Sequence, residues 1–154
     1  MHIVLVEPEI PANTGNVARL CAVTGSSLHL VKPLGFSVDD RHLKRAGLDY
    51  WDMLDIYYYD SIYEVLDKYQ QYSKFFLTSH CSRSYTKVNY DENSLLIFGK
   101  ESVGLAEELR QKYVDDCIRI PMVDGARCLN LSNAVAVVAY EALRQLGKLT
   151  KTNF

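Results

Sequence analysis

The sequence predicts an α/β domain with a mainly parallel sheet. Short apolar runs alternate with longer segments of helical pattern, the order expected when helices cover a parallel sheet. With 154 residues and 48% hydrophobic content, the chain can bury a substantial core. No internal repeat or composition change divides it. We therefore expect a single domain over residues 1–154, with a loose tail at 148–154.

The first half carries four strand patterns and three helix patterns. The predicted strands are His2–Val6, Leu28–Val31, Leu54–Tyr59 and Phe75–Thr78. The predicted helices cover Asn16–Thr24, a short stretch from Asp39 to Gly47, and Ser61 to about Gln70. Thr14 is placed to cap the first helix and Gly25 to end it. Ser61 and Glu64 have the spacing of a capping box, which favours a helix start.

The second half predicts two more strands and two helices. The strands are Leu95–Phe98 and Cys117–Ile120, and the helices are Ala106–Tyr113 and Leu131–Leu146. The last helix is apolar on every face from Ala134 to Ala139, whereas a surface helix shows one apolar stripe. We expect the sheet to cover one side of this helix and a second subunit to cover the other.

Composition excludes several classes of protein. No apolar run approaches the ~20 residues that span a bilayer, and Met1 leads straight into a strand pattern instead of a signal peptide, which predicts a cytoplasmic protein. The four cysteines are far apart and form no CxxC pair, so we expect neither a metal site nor a disulfide. A net charge of −2 argues against a protein that coats RNA.

A glycine turn follows the apolar strand at Leu95–Phe98. Gly99 and Gly104 have the spacing of a phosphate loop, but Leu105 and Ala106 stand where that loop needs a lysine and a hydroxyl. The chain also has no GxGxxG, which argues against an unknotted NAD-dependent oxidoreductase. We therefore expect a tight turn that presents its backbone to a different small ligand.

Two further stretches carry candidate site residues. Asn13 and Arg19 lie where the first helix begins, and a helix N-terminus can bind an anion. Arg19 alone would also suit a surface ion pair. Asn130 and Ser132 precede the apolar last helix, where either could be a simple N-cap. From these residues alone, structural and functional roles remain open.

Together, these stretches resemble the three motifs of the SPOUT superfamily of RNA methyltransferases. In chain order they read NTGNVARL, FGKESVGL and IPMVDGARCLNLSNAVAVVAYEA, supported by EPEIPANTGN, PLGF and RAGLDYW. The resemblance covers Met1 to Gly147 and is strongest to the TrmL type, the tRNA (cytidine/uridine-34)-2′-O-methyltransferases.

The resemblance implies a fold that the periodicity does not predict. Knots are nearly absent from proteins, so the pattern alone would give an unknotted sheet. The superfamily instead has a C-terminal trefoil knot, works as a homodimer and uses S-adenosylmethionine without a metal. The positions that the resemblance assigns to the cofactor are Leu77, Thr78, Gly99, Gly104, Ile120, Met122, Cys128 and Leu129. Cys128 stands where relatives often carry serine, which leaves a backbone contact there.

The resemblance also implies roles in methyl transfer and RNA binding. Arg19 would contact the reacting ribose and its phosphate, and Asn13, Glu101 and Asn130 would shape the site. The tRNA anticodon stem-loop would meet a basic and aromatic surface made of Arg41, Lys44, Arg45, Tyr50 and Trp51. A solvated helix face is the alternative for that cluster. Methylation of another tRNA or rRNA position, or RNA binding without catalysis, are the alternative functions.

Overall fold

A parallel sheet with helices on both faces forms the body of the molecule. The computed structural model describes residues 1–37 and 54–150. Its strands are β1 (His2–Val6), β2 (Ser27–Val31), β3 (Ile56–Tyr59), β4 (Lys74–Leu77), β5 (Leu95–Phe98) and β6 (Cys117–Ile118). Its helices are α1 (Pro11–Thr24), α2 (Ile62–Lys68), α3 (Glu107–Lys112) and α4 (Leu131–Gln145). The predicted α/β class is confirmed.

The six strands lie in the order β3-β2-β1-β5-β4-β6, and every pairing is parallel. In the centre, Ile3 of β1 pairs with Leu28 of β2 and with Leu96 of β5. All four residues of β5 are buried, which explains why that strand reads as a continuous apolar run. All carboxyl ends therefore meet at one edge of the sheet, where parallel α/β proteins place their ligands.

Helix α1 begins earlier than the sequence predicts. It starts at Pro11, with Ile10 as a cap residue that makes no side-chain hydrogen bond. Proline suits the first helical turn because its fixed φ is already helical and its missing N–H would have no partner there. The prediction of Thr14 as the N-cap is wrong, since Thr14 is fully buried inside the helix. Gly25 ends the helix with φ 64°, as predicted.

Local signals placed the starts of α2 and α4 correctly. The predicted helix from Asp39 to Gly47 lies outside the described residues. The Ser61 hydroxyl accepts a hydrogen bond from the Glu64 N–H (3.4 Å), and the Glu64 carboxylate accepts one from the Asp60 N–H. Asn130 is the N-cap of α4, because its side-chain oxygen accepts from the N–H groups of Ser132 and Asn133. Residues Lys148–Thr150, at the start of the predicted tail, form a short 3-10 helix.

The sheet separates two apolar clusters. Helices α1 and α4 pack on one face, and α2 and α3 pack on the other. The buried face of α4 consists of Leu131, Val135, Val138, Ala139, Ala142 and Leu143. Its opposite face leaves Val137 and Tyr140 exposed, at 37% and 47%. The sheet and α1 thus cover only one side of α4. Among the described residues, no helix has both the length and the apolar character to cross a membrane.

A histidine pair, of which His29 is fully buried and His2 half-buried, joins β1 to β2 on the α2 side of the sheet. His2 Nδ1 lies 3.0 Å from His29 Nε2, and His29 Nδ1 lies 3.1 Å from the Tyr59 hydroxyl. Burial lowers the pKa of His29 to about 3 and that of His2 to about 4. Both rings therefore stay neutral in the folded protein at any pH near 7.

We expect this burial to make stability depend on pH. Unfolded His29 titrates near 6.5 and folded His29 near 3, so the unfolded chain binds more protons between those values. The stability contributed by neutral His29 is therefore complete above pH 6.5 and is lost as the pH falls. Its loss should be about 1.4 kcal/mol for each pH unit below 6. Urea unfolding of wild type and His29→Gln between pH 4 and 7 measures the difference.

The variant should show a shallower fall in the free energy of unfolding than wild type. His80→Gln, which changes an exposed histidine, is the matched control and should follow the wild-type curve. Parallel pH curves for wild type and His29→Gln would contradict the assignment.

Candidate active site

A cavity of about 780 Å³ opens at the carboxyl edge of the sheet, beside β4, β5 and β6. Its walls come from the loops that follow these three strands, together with the first turns of α1 and α4. The eight residues assigned to the cofactor by resemblance all line it, namely Leu77, Thr78, Gly99, Gly104, Ile120, Met122, Cys128 and Leu129. The three separate sequence motifs therefore converge on one concave site.

The glycine turn after β5 is folded tightly on itself. A Cβ on Gly99 would lie 2.1 Å from the carbonyl carbon of Gly104, which no side chain can tolerate. Gly104 has φ +72°, in the left-handed region that favours glycine, and its N–H donates to the Lys100 carbonyl (2.8 Å). Both glycines are therefore required by the backbone path. The turn presents main-chain atoms to the cavity in the way expected for a small ligand.

One part of the cavity wall is apolar. Leu77, Ile120, Met122 and Leu129 all contribute to it, and Leu129 remains 42% exposed. An exposed leucine beside half-buried apolar neighbours provides surface on which a flat aromatic ring can lie. The wall therefore offers apolar surface to a flat ring, beside loop backbone that lines the same cavity. Cys128 is exposed on the same wall.

The polar part of the cavity is an ordered hydrogen-bond network around Glu101. Its carboxylate accepts from the N–H groups of Glu9 (2.8 Å) and Ile10 (3.2 Å) and from the Asn13 amide (2.9 Å). The Asn13 oxygen in turn accepts from the Asn130 amide (2.9 Å). Asn13, Glu101 and Asn130, which were predicted from three separate motifs, are thus hydrogen-bonded to one another. Their side chains hold the starts of α1 and α4 against the turn after β5.

Two further glutamates that sequence reasoning did not single out support the same turn. The Glu9 carboxylate accepts from the Ser102 N–H and hydroxyl, each at 2.9 Å, and these bonds are the main cause of its lowered pKa. Glu7 pairs with the Lys100 ammonium, which raises the pKa of that lysine. Both glutamates lie in the supporting stretch EPEIPANTGN, but an acidic pair flanking Pro8 fits a solvated loop equally well.

Arg19 lies outside the cavity wall. It is on the exposed side of α1, in a stripe with Ala12, Asn16 and Val23. The structure therefore brings Asn13, Glu101 and Asn130 together, while Arg19 is not among the residues that line the cavity. The predicted RNA surface at Arg41, Lys44, Arg45, Tyr50 and Trp51 falls outside the described residues.

Other residues of the cavity were not predicted. Ser79, His80, Arg110 and Arg127 add polar and basic groups to its rim. Arg127 lies within the third motif but had no assigned role, and no pattern marks the other three, which belong to a polar loop or to helix α3. In the parts of the chain that the structure describes, no group of His, Cys, Asp or Glu is arranged to hold a metal ion.

Known proteins resemble this chain over nearly its whole length. Residues 1–140 match the model of the SpoU rRNA Methylase family. The tRNA (cytidine(34)-2′-O)-methyltransferase of Yersinia pestis is 50% identical over 153 residues, covering 96% of this chain and 94% of the relative. A solved structure concerned with 2-OH methylation of C/U34 on tRNA is 43% identical, with a TM-score of 0.90 and 96% of each chain covered.

A more distant solved structure shows how widely the fold is shared. The SpoU methyltransferase AviRb of Streptomyces viridochromogenes, in complex with AdoMet, has a TM-score of 0.82 at 23% identity. It matches 97% of this chain and 58% of its own. The extent of the family match and the identity to the Yersinia relative confirm the resemblance found in the motifs. This chain belongs to the SpoU methylase family.

Proposed function

We propose that the protein transfers a methyl group from S-adenosylmethionine to the ribose 2′-OH of nucleotide 34 of tRNA, the wobble nucleotide, when it is cytidine or a modified uridine. The convergence of three motif loops on one cavity, in a chain 50% identical to a relative named for this reaction, carries the proposal. Because tRNA is the substrate, we place the enzyme in the cytoplasm.

Different residues of the cavity would contact different parts of the cofactor. Leu77, Ile120, Met122 and Leu129 would hold adenine, and the backbone of the Gly99–Gly104 turn would contact the rest of the molecule. When bound, the cofactor supplies a methyl group already activated on a sulfonium sulfur. The protein must then orient the ribose hydroxyl and remove its proton. Orientation alone can lower such a barrier by roughly 7–11 kcal/mol in favourable cases.

Arg19 is our candidate for contact with the ribose and its phosphate. A guanidinium is essentially always protonated, so its positive charge suits a phosphate better than it suits the role of a free base. Since Arg19 lies outside the cavity wall of its own chain, the RNA or a second subunit must bring the reacting ribose and Arg19 together. Asn13, Glu101 and Asn130 then act by fixing the polar side of the cavity.

The strand pairings around β6 support a trefoil knot. On one side of this strand, the Ile118 carbonyl accepts from the Thr78 N–H, next to β4. On the other side, Arg119 exchanges hydrogen bonds with Arg83 and Tyr85. Both flanking segments precede β6 in the chain. We infer that the chain enters the loop formed by residues 78–94 before it continues into α4, so that the knot forms the walls of the cavity.

The exposed sides of α1 and α4 support a homodimer. These helices pack side by side on one face of the sheet. Val23 on α1 is 61% exposed, and Val137 and Tyr140 on α4 add further apolar surface. A second copy placed on this surface would cover the side of α4 that the sheet leaves open. Arg19 lies on the same exposed side of α1.

We expect wild-type protein to form 2′-O-methylcytidine or its uridine counterpart at position 34 in tRNA that lacks the modification. Arg19→Ala should lower the methylation rate about 100-fold, as loss of a charge-stabilising donor does in other enzymes. Cofactor affinity should not change, because Arg19 does not line the cavity. Mass spectrometry of tRNA nucleosides and fragments measures the product, and calorimetry measures the affinity.

Lys112→Ala is the control, since Lys112 is an exposed cation on α3, on the opposite face of the sheet. Full methylation by Arg19→Ala would remove the catalytic assignment. A methyl group at another position of tRNA or rRNA would favour the alternative substrate. No transfer by wild type would favour a non-catalytic RNA-binding protein.

Charge reversal tests the RNA surface proposed from the sequence. Lys44→Glu with Arg45→Glu should weaken tRNA binding and flatten its salt dependence. The slope of log K against log salt should fall by about 0.7–0.9 for each phosphate that the protein no longer neutralises. Binding is measured by fluorescence anisotropy at several salt concentrations. The control is Lys68→Glu with Lys112→Glu, which changes the net charge by the same amount at exposed lysines of α2 and α3 and should leave tRNA binding unchanged. Unchanged affinity and slope in the first variant would exclude the surface.

Val137→Glu tests the dimer. A buried, unpaired carboxylate at the interface is costly, so the variant should shift the protein towards the monomer. Light scattering after size-exclusion chromatography measures the mass. Val114→Glu, at a position 62% exposed near the edge strand β6, is the matched control and should leave the mass unchanged. An identical mass for wild type and Val137→Glu would place the subunit contact elsewhere.

A further inference from the structure

The strand order changes direction between the neighbouring strands β1 and β5. The crevice between the loops that follow these two strands is closed. From β1 the chain moves outwards to β2 and β3, while β5, β4 and β6 lie on the other side. In open parallel sheets, the crevice at such a switch point holds the ligand. Here the loop after β1 and the turn after β5 are joined by side-chain hydrogen bonds across it. The cavity lies instead on the β4 and β6 side.

The two segments are joined by carboxylates that point in opposite directions. Glu101, from the turn after β5, accepts hydrogen bonds from the main chain of Glu9 and Ile10. Glu9, from the loop after β1, accepts from the main chain and the hydroxyl of Ser102. Each carboxylate thus satisfies backbone donors of the other segment. Hydrogen bonds to a charged group are about twice as strong as those between neutral groups.

Glu9 is also held from the other side, by the loop after β2. The Gly35 N–H donates to the Pro8 carbonyl (2.9 Å). A Cβ on Gly35 would come within 2.7 Å of the Glu9 Cα, so the two backbones are in direct contact. The Glu9 backbone therefore has little freedom to move away from the turn. Its carboxylate meets Ser102 from a fixed position.

Glu9 does not line the cavity, whereas Glu101, Ser102 and Gly104 do. We propose that Glu9 is a positioning residue that sets cofactor affinity by holding the turn after β5 in its binding conformation. The inference rests on the proposed function, because it assumes that this turn contacts S-adenosylmethionine. The Glu9 carboxylate acts on the site through the turn after β5, mainly by its bonds to Ser102, so it should affect cofactor binding more than the rate of transfer at saturating cofactor.

Two variants test separately the charge of the Glu9 side chain and its length. Glu9→Gln keeps the length of the side chain but removes the charge, and it can no longer accept strongly from both Ser102 groups. Glu9→Asp keeps the charge but is too short to hold Ser102 from the same backbone position. Glu92→Gln is the matched control, since Glu92 is an exposed carboxylate paired with Lys148. It precedes β5, at the opposite edge of the sheet.

Two measurements on the full chain test the proposal. Hydrogen exchange of the amides in residues 99–104 should be faster in both Glu9 variants than in wild type and Glu92→Gln. Calorimetry should show S-adenosylmethionine bound roughly tenfold more weakly by Glu9→Gln, in line with the loss of charge-assisted hydrogen bonds. KM for the cofactor should rise in proportion, with kcat within about twofold of wild type.

The outcomes are distinct. Unchanged exchange in the Glu9 variants would show that Glu9 does not hold the turn. Faster exchange in the Glu9 variants with unchanged cofactor affinity would show that Glu9 holds the turn but does not affect cofactor binding. That result would also overturn the proposal. If Glu9→Gln does not fold, Glu9→Asp decides by the same criteria. Wild type that binds no S-adenosylmethionine would overturn the proposed function, while the exchange data would still show whether Glu9 holds the turn.

Discussion

The Glu101 carboxylate connects three parts of the chain that are distant in sequence. It belongs to the turn after β5, accepts from the backbone before α1, and binds the Asn13 amide. Through Asn13 it reaches Asn130, the N-cap of α4. A half-buried carboxylate needs donors to offset its lost hydration, and here the donors come from the ends of the elements that surround the cavity. The relative positions of those elements follow from this requirement.

The chemistry proposed for the site fits this rigidity. Transfer of an activated methyl group depends mainly on alignment of the reacting atoms. Side chains fixed by hydrogen bonds can supply alignment, because they lose little freedom when the substrate binds. The tight Gly99–Gly104 turn and the amide network serve the same end. The polar side of the cavity is therefore built from groups that are already paired with one another.

Prediction succeeded where local physics decides the outcome. Strand β5 has the bounds that its apolar run predicts, and Gly25 and Asn130 cap helices as their residue types favour. It failed at the start of α1, where NTGN resembles a loop but Pro11 had already begun the helix. At the site, motifs identified Asn13, Glu101 and Asn130. Glu9 lies in the quoted stretch EPEIPANTGN but was given no role, because its role depends on where Ser102 lies after folding.

The order of residues was enough to predict the α/β class, the strands and helices of the described residues, the family and part of the cavity lining. Periodicity, capping and motif residues are local properties, so they can be read without coordinates. The strand order, the hydrogen bonds between motifs and the position of Arg19 outside the cavity wall emerged only in the folded molecule. These features depend on contacts between residues far apart in the chain, such as Asn130 and Asn13, which are 117 positions apart. No local pattern encodes such contacts, because they exist only once the sheet has brought its carboxyl ends together.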